Sequence, residues 1–322
     1  MNIVRKPVSR SRREHRILIG LVSGVMIVAA CGGGATEVAP ENTTAQAPAS
    51  TETTETTTTV APTTTTTTPP VKSCDPMPAS NLELNIETDL SDDLIRPFLC
   101  GLNAAARDLG VGPSALNLAL FNDKAAMKEA IARFLPGMPF EGSPPDIGYF
   151  GFMGSDVMFW NYPMTLDYAT DEAFIFRVGT HEYFHGVQAS LLYGGTIEPS
   201  PSWLNEGSAE YFALEMLEDY GYTDHLERWK FGAEVFVADY ATNLGTLRNW
   251  ETQPFPPNLL PYVNYPTAAR IAEMLVGLSS EDALLKTYWS ERKAEEPWQE
   301  TFERVFGLTV DDFYAMVDAE FS

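Results

Sequence analysis

The stretch "THEYFHGVQ" (180–188), followed after a turn by "WLNEGSAEYF" (203–212), decides how this chain is read. On a helix, residues four apart share one face, a turn apart. His181 and His185 therefore present two imidazoles to one point, with Glu182 one step round the same helix. Gly194-Gly195 and the Pro199/Pro201 pair force a turn, and Ser202 is placed to N-cap a second helix. That helix returns Glu206 toward the histidines after 20 intervening residues and sets Glu210 one turn further along the same face. Trp203, Ala209, Phe212 and Ala213 mark it as a buried helix, where unpaired carboxylates are costly.

Two imidazoles on one helix face can bind one ion, each nitrogen about 2.0–2.1 Å away. With Glu206 as third protein ligand, the fourth position stays open, as in a catalytic zinc site and unlike a closed structural one. Glu182 stands beside that position and can take a proton from a water there. Glu210 is placed to accept the other ring N–H of a ligand histidine. The chain has four His in all. His15 lies in a basic N-terminal segment, and His225 opens a later helix as a surface residue.

"HEYFH" followed by "WLNEGSAEYF" resembles the gluzincin metallopeptidases, in particular the peptidase MA-like branch related to aminopeptidase N, over about residues 110–320. The resemblance implies one zinc per chain on His181, His185 and Glu206, with Glu182 as general base and Glu210 supporting a zinc histidine. It also implies an oxyanion-stabilising Tyr at the head of a "YxxG" helix. "NYPTAARIAEML" (264–275) is similar to that helix, with Ala268 in place of the Gly, so Tyr265 is the candidate and Tyr262 the alternative. The aminopeptidases carry Gly-x-Met-Glu-Asn before HExxH, and its Glu holds the substrate's α-amine. The matching place here reads Gly151-Phe152-Met153-Gly154-Ser155 and lacks the acid. An endopeptidase, which needs an edge strand to pair with an extended peptide, is favoured. "SDVMFWNY" (155–162) is the expected edge, although an inner position is equally compatible. Two other readings are open: a non-catalytic gluzincin-like binding module, and a zinc amidase acting on cell-wall peptides.

Residues 1–30 hold six Lys/Arg and one Glu, ahead of the apolar run "ILIGLVSGVMIVAA" (17–30). A basic head and an apolar run too short to span a membrane read as an export signal. Val28-Ala29-Ala30-Cys31 resembles the bacterial lipobox, which implies a lipid on Cys31 and a place on the outer face of the cell membrane. Residues 31–73 form a Thr/Pro-rich tract without the apolar residues a core needs. It reads as a disordered stalk reaching about 35–40 Å as a flexible coil. Beyond residue 30 the chain has 15 Lys/Arg against 43 Asp/Glu, a charge of −28. So acidic a surface repels phosphate backbones and excludes nucleic acid as a partner; a peptide or protein is the expected substrate.

Cys74 and Cys100, with no His or other Cys near either, form the expected disulfide of an exported domain. Within that domain, residues 74–322, the patterns predict a helix over 91–110, a strand over 115–121 and a helix over 122–135. They predict loop over 141–154, a strand over 155–162, and mostly helix after Asp171. The expectation is an α+β fold, zincin-like, with a small mixed sheet in 74–170 and the helical, metal-bearing part in 171–322.

Overall fold

The computed structural model describes residues 72–75, 82–134, 149–153, 157–161, 171–192, 200–224, 226–227, 246–251 and 261–321. Residues 1–71, read from sequence as signal and stalk, together with His225, most of the helix it was expected to open, and Gly154-Ser155 lie outside the described residues. The fold is α+β. Every described strand precedes residue 162, and every described element after residue 171 is helical.

Four strands, β1 (Glu83–Thr88), β2 (Ala115–Phe121), β3 (Tyr149–Met153) and β4 (Val157–Asn161), form one mixed sheet in the order β1-β2-β4-β3. β1, β2 and β4 run parallel, and β3 returns antiparallel along β4. β2 is central, and its alternation sends side chains to opposite faces. Leu116, Leu118 and Leu120 join the main core, while Ala119 and Phe121 join Met127 and Ala130 of α2 (Lys124–Phe134) in a separate cluster.

β1 was not anticipated, and the Gly/Pro-rich stretch expected as loop contains β3, which is a correction. Of the two positions open to β4, the favoured edge and the interior, it takes the interior, and β3 takes the edge because it adds to the free side of β4.

α1 (Asp92–Leu109) crosses from β1 to β2 and packs against α3 (Glu172–Leu191). The two helices meet through glycines. A Cβ on Gly101 would lie 2.0 Å from Phe176 O, and one on Gly179 would lie 2.2 Å from Phe98 O. Any larger side chain at either position would push α3 off the layer beneath it. On its other side α3 packs on α4 (Ser202–Asp219), which in turn packs on α5 (Pro261–Leu278). α4 is N-capped by Pro201 in extended conformation and not, as expected, by Ser202, which is already helical. α5 begins at Pro261, four residues before Tyr265, and carries Pro266 inside its first turns.

The chain closes with a π-helical turn (Ala283–Thr287), α6 (Tyr288–Glu291), α7 (Trp298–Phe306) and α8 (Val310–Glu320). Trp203 of α4 anchors this C-terminal layer. It is fully buried among Phe302, Phe313 and Tyr314 and donates its indole N–H to Tyr314 Oη at 3.0 Å.

Cys74 and Cys100 form the expected disulfide, with Cα atoms 5.6 Å apart at a sequence separation of 26. Closing a loop of that size contributes on the order of 3 kcal/mol. Lys72 reinforces it. Its ammonium bridges Asp108 and Asp219 at 2.6 and 2.7 Å, and its amide donates to Asp219 O at 3.0 Å. Lys72 is thus pinned to the C-terminal ends of α1 and α4.

Candidate metal centre

Asp171 caps α3, accepting from Phe174 N at 3.1 Å, and from Ala173 almost to its end the helix is buried all round. A helix with no solvent face is a core helix. Every polar side chain on it must therefore find a partner within the protein. Five such side chains matter: Arg177, His181, Glu182, His185 and Gln188, each 5% exposed or less. α4 faces them with Glu206, Ser208 and Glu210, also buried.

The structure brings together the three ligands expected from sequence. His181 Nε2 and His185 Nε2 lie 3.1 Å apart, and Glu206 Oε2 lies 3.3 Å from the first and 3.4 Å from the second. These atoms form a near-equilateral triangle of possible metal ligands. A four-coordinate tetrahedral ion bonded at about 2.0–2.1 Å has ligand–ligand edges of about 3.3 Å, so the triangle already has the size of one face. Glu206 Oε2 is buried without a hydrogen bond of good geometry, as a carboxylate oxygen reserved for an ion would be.

Each histidine is held from behind. His181 Nδ1 lies 2.9 Å from Glu210 Oε2, and His185 Nδ1 lies 2.7 Å from Gln188 Oε1. With both Nδ1 atoms engaged by oxygens, both Nε2 atoms point their lone pairs into the triangle. Arg177 donates through Nη1 to both Glu210 oxygens, at 2.5 and 2.6 Å. Sequence reasoning anticipated Glu210 but missed Arg177 and Gln188. Their signal was positional, since Arg177 stands four residues before His181 and Gln188 three after His185.

The charges point the same way. With neutral imidazoles, Arg177 against Glu182, Glu206 and Glu210 leaves a buried charge of −2. A dication would cancel it, and buried charge without compensation is expensive. In the metal-free protein, protons do part of this work. Burial opposes charging His181, but the carboxylates of Glu206 and Glu210 outweigh it and raise its pKa to about 10. Burial likewise opposes charging His185, and Glu206 again raises it. Burial would raise Glu206, yet the two histidines lower it to about 2. Glu210 is lowered against its burial by Arg177 and His181. Glu182 goes the other way. Burial raises its pKa, with only partial relief from His185 and His181. Its Oε2 is buried with no hydrogen-bond partner, the condition of a carboxylate free to accept a proton.

Tyr265 reaches this centre. It is buried, and its ring meets His181 edge-on, with centroids 5.6 Å apart and planes at 70°. The side chain of Tyr262 lies outside the described residues. Gly207, the residue after the candidate ligand Glu206, allows the approach of α5. A Cβ there would lie 2.4 Å from Ala268 O. Ala268 itself, where the family resemblance leads one to expect Gly, is fully buried against it. A cavity of about 380 Å³ lined by Asp108, Glu215, Asp219, Glu281 and Asp282 contains none of the residues of this centre. Comparison of the chain with protein-family models, curated proteins and solved structures gives no match.

Proposed function

We propose that the chain is a zinc-dependent peptidase with a zincin-like fold of the gluzincin type, acting as an endopeptidase and tethered outside the cell membrane by a lipid on Cys31 and the stalk that follows. The observation that carries the reading is the buried triangle of His181, His185 and Glu206, with Glu182 Oε2, without a hydrogen-bond partner, on the helix of the two histidines. Two imidazoles and one carboxylate with an open fourth position suit zinc in its catalytic form. When bound, zinc supplies a Lewis acid that polarises a carbonyl and acidifies water.

The chain's own residues do the rest. Glu182 accepts the proton of the attacking water and returns it to the departing amine. Glu210 and Gln188 keep the two imidazoles turned toward the reacting point. Tyr265 supplies a phenol to the carbonyl oxygen as negative charge develops on it. β3, the sheet-edge strand that packs against α3, offers main-chain groups to an extended peptide by strand addition. The missing acid at Gly154 leaves no anchor for a free α-amine, which favours cleavage within a chain.

The test is metal analysis of wild type and Glu206→Ala, followed by digestion of an unbiased peptide library. Wild type should carry one zinc per chain and cut peptides. Glu182→Gln should keep the zinc and lose hydrolysis. Wild type inert toward the library, or Glu182→Gln with undiminished activity, refutes the catalytic assignment.

A further inference from the structure

We propose that Gln188 is a positioning residue that locks the ring tautomer of His185 to the main chain of the second ligand helix; the proposal rests on the reading of His181, His185 and Glu206 as a zinc site. Gln188 is buried, and its amide nitrogen donates to Asn205 O at 2.9 Å and to Ser208 Oγ at 3.0 Å. The Ser208 hydroxyl spends its own proton on a main-chain carbonyl, Leu204 O at 2.7 Å or Asn205 O at 3.2 Å. It can therefore only accept from Gln188. A carbonyl oxygen and a committed hydroxyl together identify that end of the amide as the nitrogen. Flipping the amide would set two carbonyl oxygens against each other.

Gln188 Oε1 is consequently the atom 2.7 Å from His185 Nδ1. A ring nitrogen facing an amide oxygen must carry the proton. The Nε2 lone pair of the neutral ring then faces His181 Nε2 and Glu206 Oε2. His181 reaches the same tautomer through the anionic Glu210, whereas Gln188 does it for His185 without adding charge to a centre that is already anionic. The grip also extends across the helix pair. Asn205, whose carbonyl fixes the amide, immediately precedes Glu206, so one side chain sets both the orientation of the second ligand and its alignment with the third.

Two variants separate these roles. Gln188→Met removes the amide at similar length, while Gln188→Glu keeps an acceptor for His185 and gives up the donors to Asn205 and Ser208. Zinc affinity is measured with Zn²⁺ alone, by competition against a chromophoric chelator. The protonated ring nitrogen of His185 is read from long-range ¹H–¹⁵N spectra of the metal-free protein at alkaline pH, where the ring is neutral. Gln188→Met should weaken zinc binding about 10–100-fold, the usual cost of losing a partner behind a metal ligand, and should show both tautomers. Gln188→Glu should recover only part of that loss, because it restores the acceptor for His185 but sets an oxygen against Asn205 O. Wild type should show Nδ1–H alone. Unchanged zinc affinity in Gln188→Met, or wild-type His185 protonated on Nε2, overturns the proposal. Failure of wild type to take up zinc would sink the zinc reading instead, and the metal-free spectrum would still decide the tautomer lock. That spectrum needs no variant, so it remains decisive if Gln188→Met does not fold.

Discussion

Glu206 Oε2 lies 3.3 Å from His181 Nε2, across the interface of two helices, with no hydrogen bond of good geometry to occupy it. The distance is that between two ligands of one tetrahedral ion. Glu206→Ala should therefore lower zinc content from one per chain to a small fraction. The loss of affinity should exceed the roughly 10–100-fold cost of losing an outer hydrogen-bond partner. Elemental analysis after dialysis checks the first outcome, and chelator competition the second.

Arg177 and Glu210 form a buried ion pair whose remaining oxygen contact is to His181. Breaking such a pair from one side strands a charge and costs about 3–5 kcal/mol, although the intact pair is worth far less than that against an apolar replacement. Arg177→Met should lose stability on that scale in denaturant unfolding of the metal-free protein. Adding Glu210→Gln should return part of the loss, because the carboxylate that Arg177 balanced is then gone while Glu206 still faces the His181 proton. A double variant less stable than Arg177→Met alone would contradict this account.

These pairings explain what could be read in advance. The strand at Ala115–Phe121 and the helices carrying the ligands were legible because a local period, two or 3.6, is written into them. β1 and β3 were not. β1 lies at a sheet edge with no fully buried position, and its Glu and Asn residues dilute the apolar signal. β3 is short, and its extended form comes from pairing with β4, which follows after three intervening residues; Gly148, Gly151 and Gly154 give the stretch the composition of a loop. At the site, His181, Glu182, His185, Glu206 and Glu210 follow a spacing rule with a chemical reason. Gln188 and Arg177 do not, since their roles depend on Asn205, Ser208 and Glu210 arriving from the other helix.

Gly207 tests whether the approach of α5 matters. A methyl group there meets Ala268 O, a backbone atom that can yield only if α5 moves. Gly207→Ala should cost about 1–3 kcal/mol, as overpacking of a core does. It should also disturb Tyr265, which α5 carries to His181. Gly277, near the end of the same helix, has nothing within 4 Å of a built Cβ. Gly277→Ala should be neutral, or stabilising by up to about 1 kcal/mol through helix propensity. Thermal unfolding of the two variants side by side separates the close contact from a general intolerance of alanine.

The metal-free centre should have its own pH dependence, opposite to that of zinc binding. A histidine raised from 6.5 to about 10 contributes stability that is complete below 6.5 and is lost as pH climbs through about 10. A carboxylate lowered from 4.5 to about 2 contributes stability that is complete above 4.5 and is lost as pH falls through about 2. His181 and Glu206 are therefore both fully stabilising between pH 4.5 and 6.5. Burial raises Glu182, whose contribution also declines with rising pH and tilts that window toward its acid end. Zinc must displace the His181 proton, so its stabilising effect should grow as pH rises above 6.5. Unfolding free energies of wild type and His181→Gln, measured in chelator across this range, isolate the site from the many surface carboxylates. The difference should shrink toward alkaline pH without metal and widen there with zinc. A difference that stays flat in chelator would mean that Glu206 and Glu210 do not hold a proton on His181.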